Sequence, residues 1–167
     1  PVSAEYKNCD IYRTHYETHM DFATGKQVFE WSPLVNLGPN VNTPDGWESQ
    51  PSLSGDGRTL YFATARKGSQ GMDIDSSTRY DKGEWSKAKP LPAPINTEGD
   101  EKAPFMHSDS HTLYFGARPP WDKNGKEVLS EGHRGIGGDD IGDSRLNSDS
   151  SWSELKNLGN PINTPQD

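Results

Sequence analysis

Apolar residues in this chain come in short clusters divided by turn-forming residues, and no stretch sustains a helical period. Two clusters share one pattern. Pro51-Ser-Leu-Ser-Gly-Asp-Gly-Arg-Thr-Leu-Tyr-Phe62 and Pro104-Phe-Met-His-Ser-Asp-Ser-His-Thr-Leu-Tyr-Phe115 each run 11 residues from Pro to Phe. In the first, Pro51–Ser54 predicts a strand, and Ser54-Gly-Asp-Gly a tight turn, because Gly accepts positive φ and Asp bonds its own backbone. Thr59-Leu-Tyr-Phe-Ala-Thr64 predicts a second strand, being β-branched and aromatic. Asp73-Ile to about Arg79 predicts a third, and Glu84-Trp85 to about Lys89 a fourth.

A second pattern occurs three times. Trp31…Asn42-Thr43, Trp85…Asn96-Thr97 and Trp152…Asn163-Thr164 keep a step of 11 from Trp to Asn. Asp-Ile pairs precede them at Asp10-Ile11, Asp73-Ile74 and Asp140-Ile141. The order of motifs is constant, so the chain reads as a repeat protein. Residues 1–43 hold the end of one unit, 44–97 a complete unit and 98–167 a longer one with the start of the next link. A unit of about 54 residues with four strands fits a propeller blade. The expected fold is all-β: blades of four antiparallel strands, about two and a half of them, part of a larger propeller, since a ring takes about four to eight.

The units differ in their loops. Phe62 to Asp73 spans 11 residues, but Phe115 to Asp140 spans 25. Asp-Ile to Trp is 12 residues in the two later units and 21 in the first, the excess lying around Thr14–Gly25. Ser110 and Ser150 stand where the turn Gly is expected. Asp75 and Gly142 occupy the position that Tyr12 holds after the first Asp-Ile, so two buried aromatics are lost there unless the site faces solvent or the units have diverged.

Composition sharpens this picture. A hydrophobic share of 29% is low for a self-contained globule, yet five Trp, six Tyr and five Phe argue against disorder. A net charge of −8 offers no footprint for nucleic acid. No apolar run approaches the ~20 residues of a membrane-spanning helix, so no direct membrane insertion is expected. The chain starts and stops within repeats, as expected of a piece of something longer. The single cysteine, Cys9, forbids an internal disulfide framework and is expected to be a small buried residue.

These motifs resemble the WD40-like propeller repeat named for its Pro–Asp pair, known from TolB-type periplasmic proteins and, more closely, from OmpA-family proteins of the Bacteroidetes outer membrane. The resemblance rests on Asn157-Leu-Gly, Ile162-Asn-Thr, Ser54-Gly-Asp-Gly-Arg-Thr-Leu-Tyr-Phe62 and Gly132-His-Arg-Gly-Ile-Gly-Gly138, and it covers nearly the whole chain. It implies a periplasmic or outer-membrane location. It also implies a non-catalytic scaffold in the cell envelope, with protein partners there, linked to peptidoglycan or to type IX secretion and gliding machinery. The remaining blades, of the same or another chain, would be further partners.

Candidate chemistry is weighed against structural roles. Asp139, Asp140 and Asp143 beside Gly137-Gly138 could offer oxygens to Ca²⁺, although a glycine turn leading into a strand, with Asp140 fixing backbone N–H groups, is the favoured reading. No other cofactor is implied. His15 and His19, like His107 and His111, are spaced i, i+4, but Tyr16 stands where a zinc-protease motif needs Glu. No Gly-x-Ser-x-Gly elbow is present, so no catalytic residue is assigned and the chain is not expected to be an enzyme. Trp85 and Trp152 are expected to pack between blades or to close a hairpin. Trp47 and Trp121, read as loop residues, are candidates for partner binding together with His133 and Arg134. Docking is assigned to the Arg118–Asp139 and Thr14–Gly25 insertions. Two alternatives stay open: a propeller gating a hydrolase of the prolyl-peptidase kind, and a carbohydrate- or calcium-binding lectin-like module.

Overall fold

A computed structural model describes residues 8–69, 71–118 and 135–165. Among the described residues every regular element is a strand, so the chain is all-β. A short pair, β1 (Tyr12–Arg13) and β4 (Val35–Asn36), brackets a hairpin of β2 (Tyr16–Asp21) and β3 (Lys26–Trp31). A four-stranded antiparallel sheet follows: β5 (Trp47–Leu53), β6 (Thr59–Ala65), β7 (Asp73–Thr78) and β8 (Lys89–Pro90). A second, in the same order, holds β9 (Asp100–Met106), β10 (Thr112–Arg118), β11 (Asp140–Arg145) and β12 (Lys156–Asn157). These are the middle sheet and the last sheet; β1 and β4 match the third and fourth strands of either.

The turns form as their residues dictate. At Ser54–Arg58, Asp56 accepts from the Arg58 N–H at 2.9 Å, and Gly57 sits at φ 68°. Ser110 (φ 57°) and Ser150 (φ 67°) adopt the same left-handed backbone without glycine's freedom. Ser110 has a compensating role, because its Oγ accepts from the Gly55 N–H of the preceding sheet at 2.9 Å. Gln50 (φ 51°) and Ala103 (φ 50°), each just before the repeated Pro, lie at irregularities in the β5–β6 and β9–β10 pairings.

The Asn-Thr pair works in two directions. Asn42 accepts from the Ile11 N–H at 2.8 Å and donates to the Ile11 carbonyl at 2.9 Å. Asn96 does the same to Ile74, and Asn163 to Ile141. One side chain thus satisfies the Ile N–H and shares the Ile carbonyl with a backbone N–H, that of Leu37, Leu91 or Leu158. The adjacent threonine reaches forward. Thr43 donates its N–H and hydroxyl to Glu48, at 3.1 and 2.7 Å, and Thr97 donates to Glu101, at 3.0 and 2.5 Å. Each link therefore ties its own sheet to the next.

The core lies between sheets. Ile11, Val41, Leu60, Phe62 and Ala88, with Leu37 and Trp85 against them, join the β1–β4 pair to the middle sheet. Tyr61, Ile74, Leu91 and Ile95 of the middle sheet meet Met106, Leu113, Phe115 and Ala117 of the last, with Trp152 and Leu155 packed on them. Trp85 and Trp152 thus lie between sheets, as expected; Trp152 meets Tyr61 edge-on, with centroids 6.4 Å apart. Side chains also stitch β5 to β9: Gln50 Oε1 accepts from the Ala103 N–H and Ser52 Oγ from the Met106 N–H, both at 2.9 Å.

Two expectations need correction, and between two open alternatives the units prove to have diverged. Trp47 is in β5, paired with Ala65 and half-buried, because the strand starts four residues before Pro51. Cys9 is exposed; its carbonyl accepts from the Glu48 N–H at 2.9 Å while its side chain faces out. The position after Asp-Ile loses its aromatic without becoming exposed. Asp75 is 2% exposed and ion-paired with Arg66, whose guanidinium lies 5.8 Å from the Phe62 ring centre. Gly142 is buried beside Leu155, and a Cβ on Gly142 would lie 2.6 Å from Leu155 Cδ1. The lost ring volume is taken by Arg66 in one sheet and by Leu155 in the other.

Candidate functional site

The repeat makes the two ends of the stack readable by substitution of equivalents. In the middle sheet Ile74 and Ile95 are both 0% exposed. Their counterparts in the last sheet, Ile141 and Ile162, are 44% and 59% exposed. Tyr114 and Leu158 are half-buried where Tyr61 and Leu91 are buried. Phe105, on the neighbouring strand, is also exposed and lies 6.4 Å from Tyr114, ring to ring. This trailing face is built from the residue types that, one sheet earlier, fill a core.

The opposite end shows the complementary set. Trp85 and Trp152 each pack onto the sheet before their own. Trp31, at the same place in the repeat, is 67% exposed, and Leu34, equivalent to Ala88 and Leu155, is 70% exposed. The hairpin β2–β3 extends this leading face outward. In the later units the residue opposite Trp is Arg79 or Leu146, and the turn closes a few residues beyond. In the first unit Tyr16 pairs with Trp31 and the ribbon then runs five further rungs.

Period-two alternation sorts the ribbon into two faces. Tyr16, Thr18 and Met20 stand opposite Trp31, Phe29 and Gln27 on one; Glu17, His19 and Asp21 stand opposite Glu30, Val28 and Lys26 on the other. The first is an aromatic ladder: Tyr16 lies 5.3 Å from Trp31 and 6.4 Å from Phe29, ring centre to ring centre. Asp21 closes the tip, accepting from the Ala23 N–H at 2.9 Å and the Thr24 hydroxyl at 2.6 Å, and Phe22 beside it is 95% exposed. Among the described residues β2 and β3 contact no other strand. A two-stranded ribbon is marginal in water by itself, and an aromatic face held open on it is a surface suited to another molecule.

Buried charge lies on both sides of the middle sheet: Asp75 shares the face of Phe62, toward the β1–β4 pair, and Glu101 stands opposite Ala117, where the middle sheet meets the last. Burial pushes Asp75 up to about 6, against the lowering effect of Arg66, with Asp73 adding to the rise. Burial pushes Glu101 up to about 7, although the Thr97 hydroxyl and N–H both oppose it. A depression of about 210 Å³ opens over Arg66, Asp73, Asp75 and Pro90. Asp75 is bonded to Arg66, and Glu101 to the Thr97 N–H and hydroxyl, so both serve the packing of the sheets.

The candidate calcium ligands are not brought together. Asp139 is held by Lys102 Nζ at 2.7 Å and by Arg118 at 2.9 and 2.6 Å. Burial alone would raise it, but these two cations keep its carboxyl below the usual range. Asp140 accepts from the Ile136 N–H and from Asn157 Nδ2, which is the structural role expected of it. Asp143 is three positions along β11 and so on the opposite face. Among the described residues no group of three or more His, Cys, Asp or Glu is placed to hold a metal ion. His107 and His111 flank the Asp109 turn; Asp109 is held well below the ordinary carboxylate range by the His111 and Thr112 N–H groups. Of the candidate partner residues, Trp47 belongs to β5, while Trp121, His133 and Arg134 lie outside the described residues.

Sequence reasoning missed Phe29, Ile141 and Ile162 as surface residues. The signal for the ribbon was present as alternation from Tyr16 to Asp21 and from Lys26 to Trp31, joined by Thr24-Gly25. Nothing local to Ile141 distinguishes it from Ile74; only the neighbouring sheet does.

No family model and no curated protein matches this sequence.

Proposed function

We propose that this chain is a non-catalytic interaction scaffold, a run of propeller-type blades that presents open sheet faces and a projecting ribbon to protein partners. One observation carries the reading: Ile141 and Ile162 are open where Ile74 and Ile95, in the same repeat positions, are closed. A face made of residue types that elsewhere in the chain fill a core is suited to cover by another surface. The non-catalytic part is supported by repetition. Asn42, Asn96 and Asn163 make the same bonds, as do Glu48 and Glu101, and a polar residue that recurs with one architectural bond is explained without chemistry on a substrate. The envelope setting, with peptidoglycan or secretion and gliding machinery nearby, is drawn from the resemblance of the repeat motifs.

An environment-sensitive dye such as anilinonaphthalene sulfonate tests the reading. The folded chain should bind the dye, and Ile141→Asp with Ile162→Asp should remove a large part of the signal while shifting the melting temperature little. Absence of dye binding by the folded wild type, or a signal that both substitutions leave intact, would overturn it.

A further inference from the structure

We propose that the leading face of one copy of this chain docks on the trailing face of a second copy, giving a head-to-tail assembly. The proposal rests on the open-face reading above and adds the occupant. The chain itself displays the required complementarity. Trp152 and Leu155 lie on the core formed by Tyr61, Ile74, Leu91 and Ile95. Trp31 and Leu34 are the free equivalents of the first pair, and Tyr114, Ile141, Leu158 and Ile162 of the second set. Two kinds of surface that meet inside the described residues are thus each also exposed once among them.

The ribbon determines why this junction suits a second copy. Its aromatic face carries Tyr16, Phe29 and Met20 on the same side as Trp31, so it extends the leading face beyond the rim of an ordinary sheet. Tyr16, Met20, Phe22, Phe29, Trp31 and Leu34, all half or more exposed, together offer several hundred Å², roughly the scale of one side of a small stable interface. The ribbon's charged face, with Glu17 opposite Glu30, remains in water when the aromatic face is covered, so the ribbon itself strands no charge; Asp143, opposite Tyr114, is the charge that the trailing face brings to the contact. Because the two contacting surfaces differ, the contact is heterologous, and each added copy leaves one face of each kind free.

Sedimentation velocity on the intact chain, from about 1 to about 200 µM, reads the assembly, since an interface near the small end of the usual range acts in that window. Wild type should gain mass with concentration. Trp31→Glu and Ile141→Glu, both at exposed positions, should each weaken association at least about tenfold with unchanged circular dichroism. An equimolar mixture of the two variants should recover a species of two chains, because the intact trailing face of one variant meets the intact leading face of the other. Leu34→Ser and Ile162→Ser provide the same comparison if either first variant misfolds. A wild type that stays monomeric throughout overturns the proposal, as does assembly indifferent to both substitutions. So does a mixture that fails to recover a pair, which would mark ribbon-to-ribbon or other symmetric contact. A monomer that still binds the dye refutes self-docking and leaves the open-face reading standing; loss of dye binding refutes that reading itself.

Discussion

The middle and last sheets are nearly the same object in different company. Both order their strands alike, both tie Asn to the Ile of Asp-Ile, and both set a Glu against the preceding Thr. The middle sheet has neighbours on both faces, and five consecutive residues of β6, from Leu60 to Thr64, are buried. In β10 burial alternates, with Leu113, Phe115 and Ala117 inside and Tyr114 and Gly116 half-open. The same residue types form a core in one place and a surface in the other, so the difference is made by what lies alongside.

The largest expected effect follows from that contrast. Ile74→Ala should destabilise by about 2–5 kcal/mol, as deletion from a packed core does, while Ile141→Ala should cost under about 1 kcal/mol, as at an open position. Paired urea melts measure both; equal losses would break the comparison. Next in size is the charged replacement for the missing aromatic. Arg66→Met leaves Asp75 buried and unpaired, which should cost about 3 kcal/mol or more near pH 8, and less near pH 5, where Asp75, with its carboxyl raised to about 6, is largely protonated. The last sheet has no equivalent pair, so Leu155→Ala there should instead behave as an ordinary cavity.

Glu101 gives a pH test. Its folded value of about 7 lies above its ordinary 4.5, so between these pH values the folded state holds more proton than the unfolded one. Stability contributed by this group is therefore fully present below about pH 4.5 and is lost as pH rises towards and through about 7. Glu101→Gln should flatten that decline in melts from pH 5 to pH 8; an unchanged slope would assign the dependence to other groups. The smallest effect concerns the turn. Ser150→Gly removes a left-handed non-glycine residue and should stabilise by roughly 0.5–1 kcal/mol, read as a small rise in urea midpoint. Ser110→Gly should gain less, because it also forfeits the bond from Gly55.

The repeats were legible because turn and link chemistry is local. The fixed 11-residue step announced both the strands and the Asn-Thr link, and Ser-Gly-Asp-Gly announced its turn. What stayed hidden depends on contacts between segments. Arg66 meets Asp75 across a loop whose path no spacing fixes, and Gly142 is covered by Leu155, which directly precedes β12. Trp47 looked like a loop residue because the strand's start is set by pairing with Ala65, not by its own sequence. The acidic cluster at Asp139–Asp143 looked like a cation site until strand alternation and the Lys102 and Arg118 contacts separated its members. The Thr14–Gly25 excess was visible as length, but its use as one half of an aromatic ribbon depends on the return strand from Lys26 to Trp31.

The chain's six isoleucines allow the central claim to be read without removing a single core contact. With methyl-labelled isoleucine and a soluble paramagnetic probe, in the Trp31→Glu background to keep chains apart, Ile11, Ile74 and Ile95 should be shielded. Ile136, Ile141 and Ile162 should relax strongly, as their exposures of 43%, 44% and 59% require. Shielding of Ile141 and Ile162 equal to that of Ile74 and Ile95 would contradict an open last face.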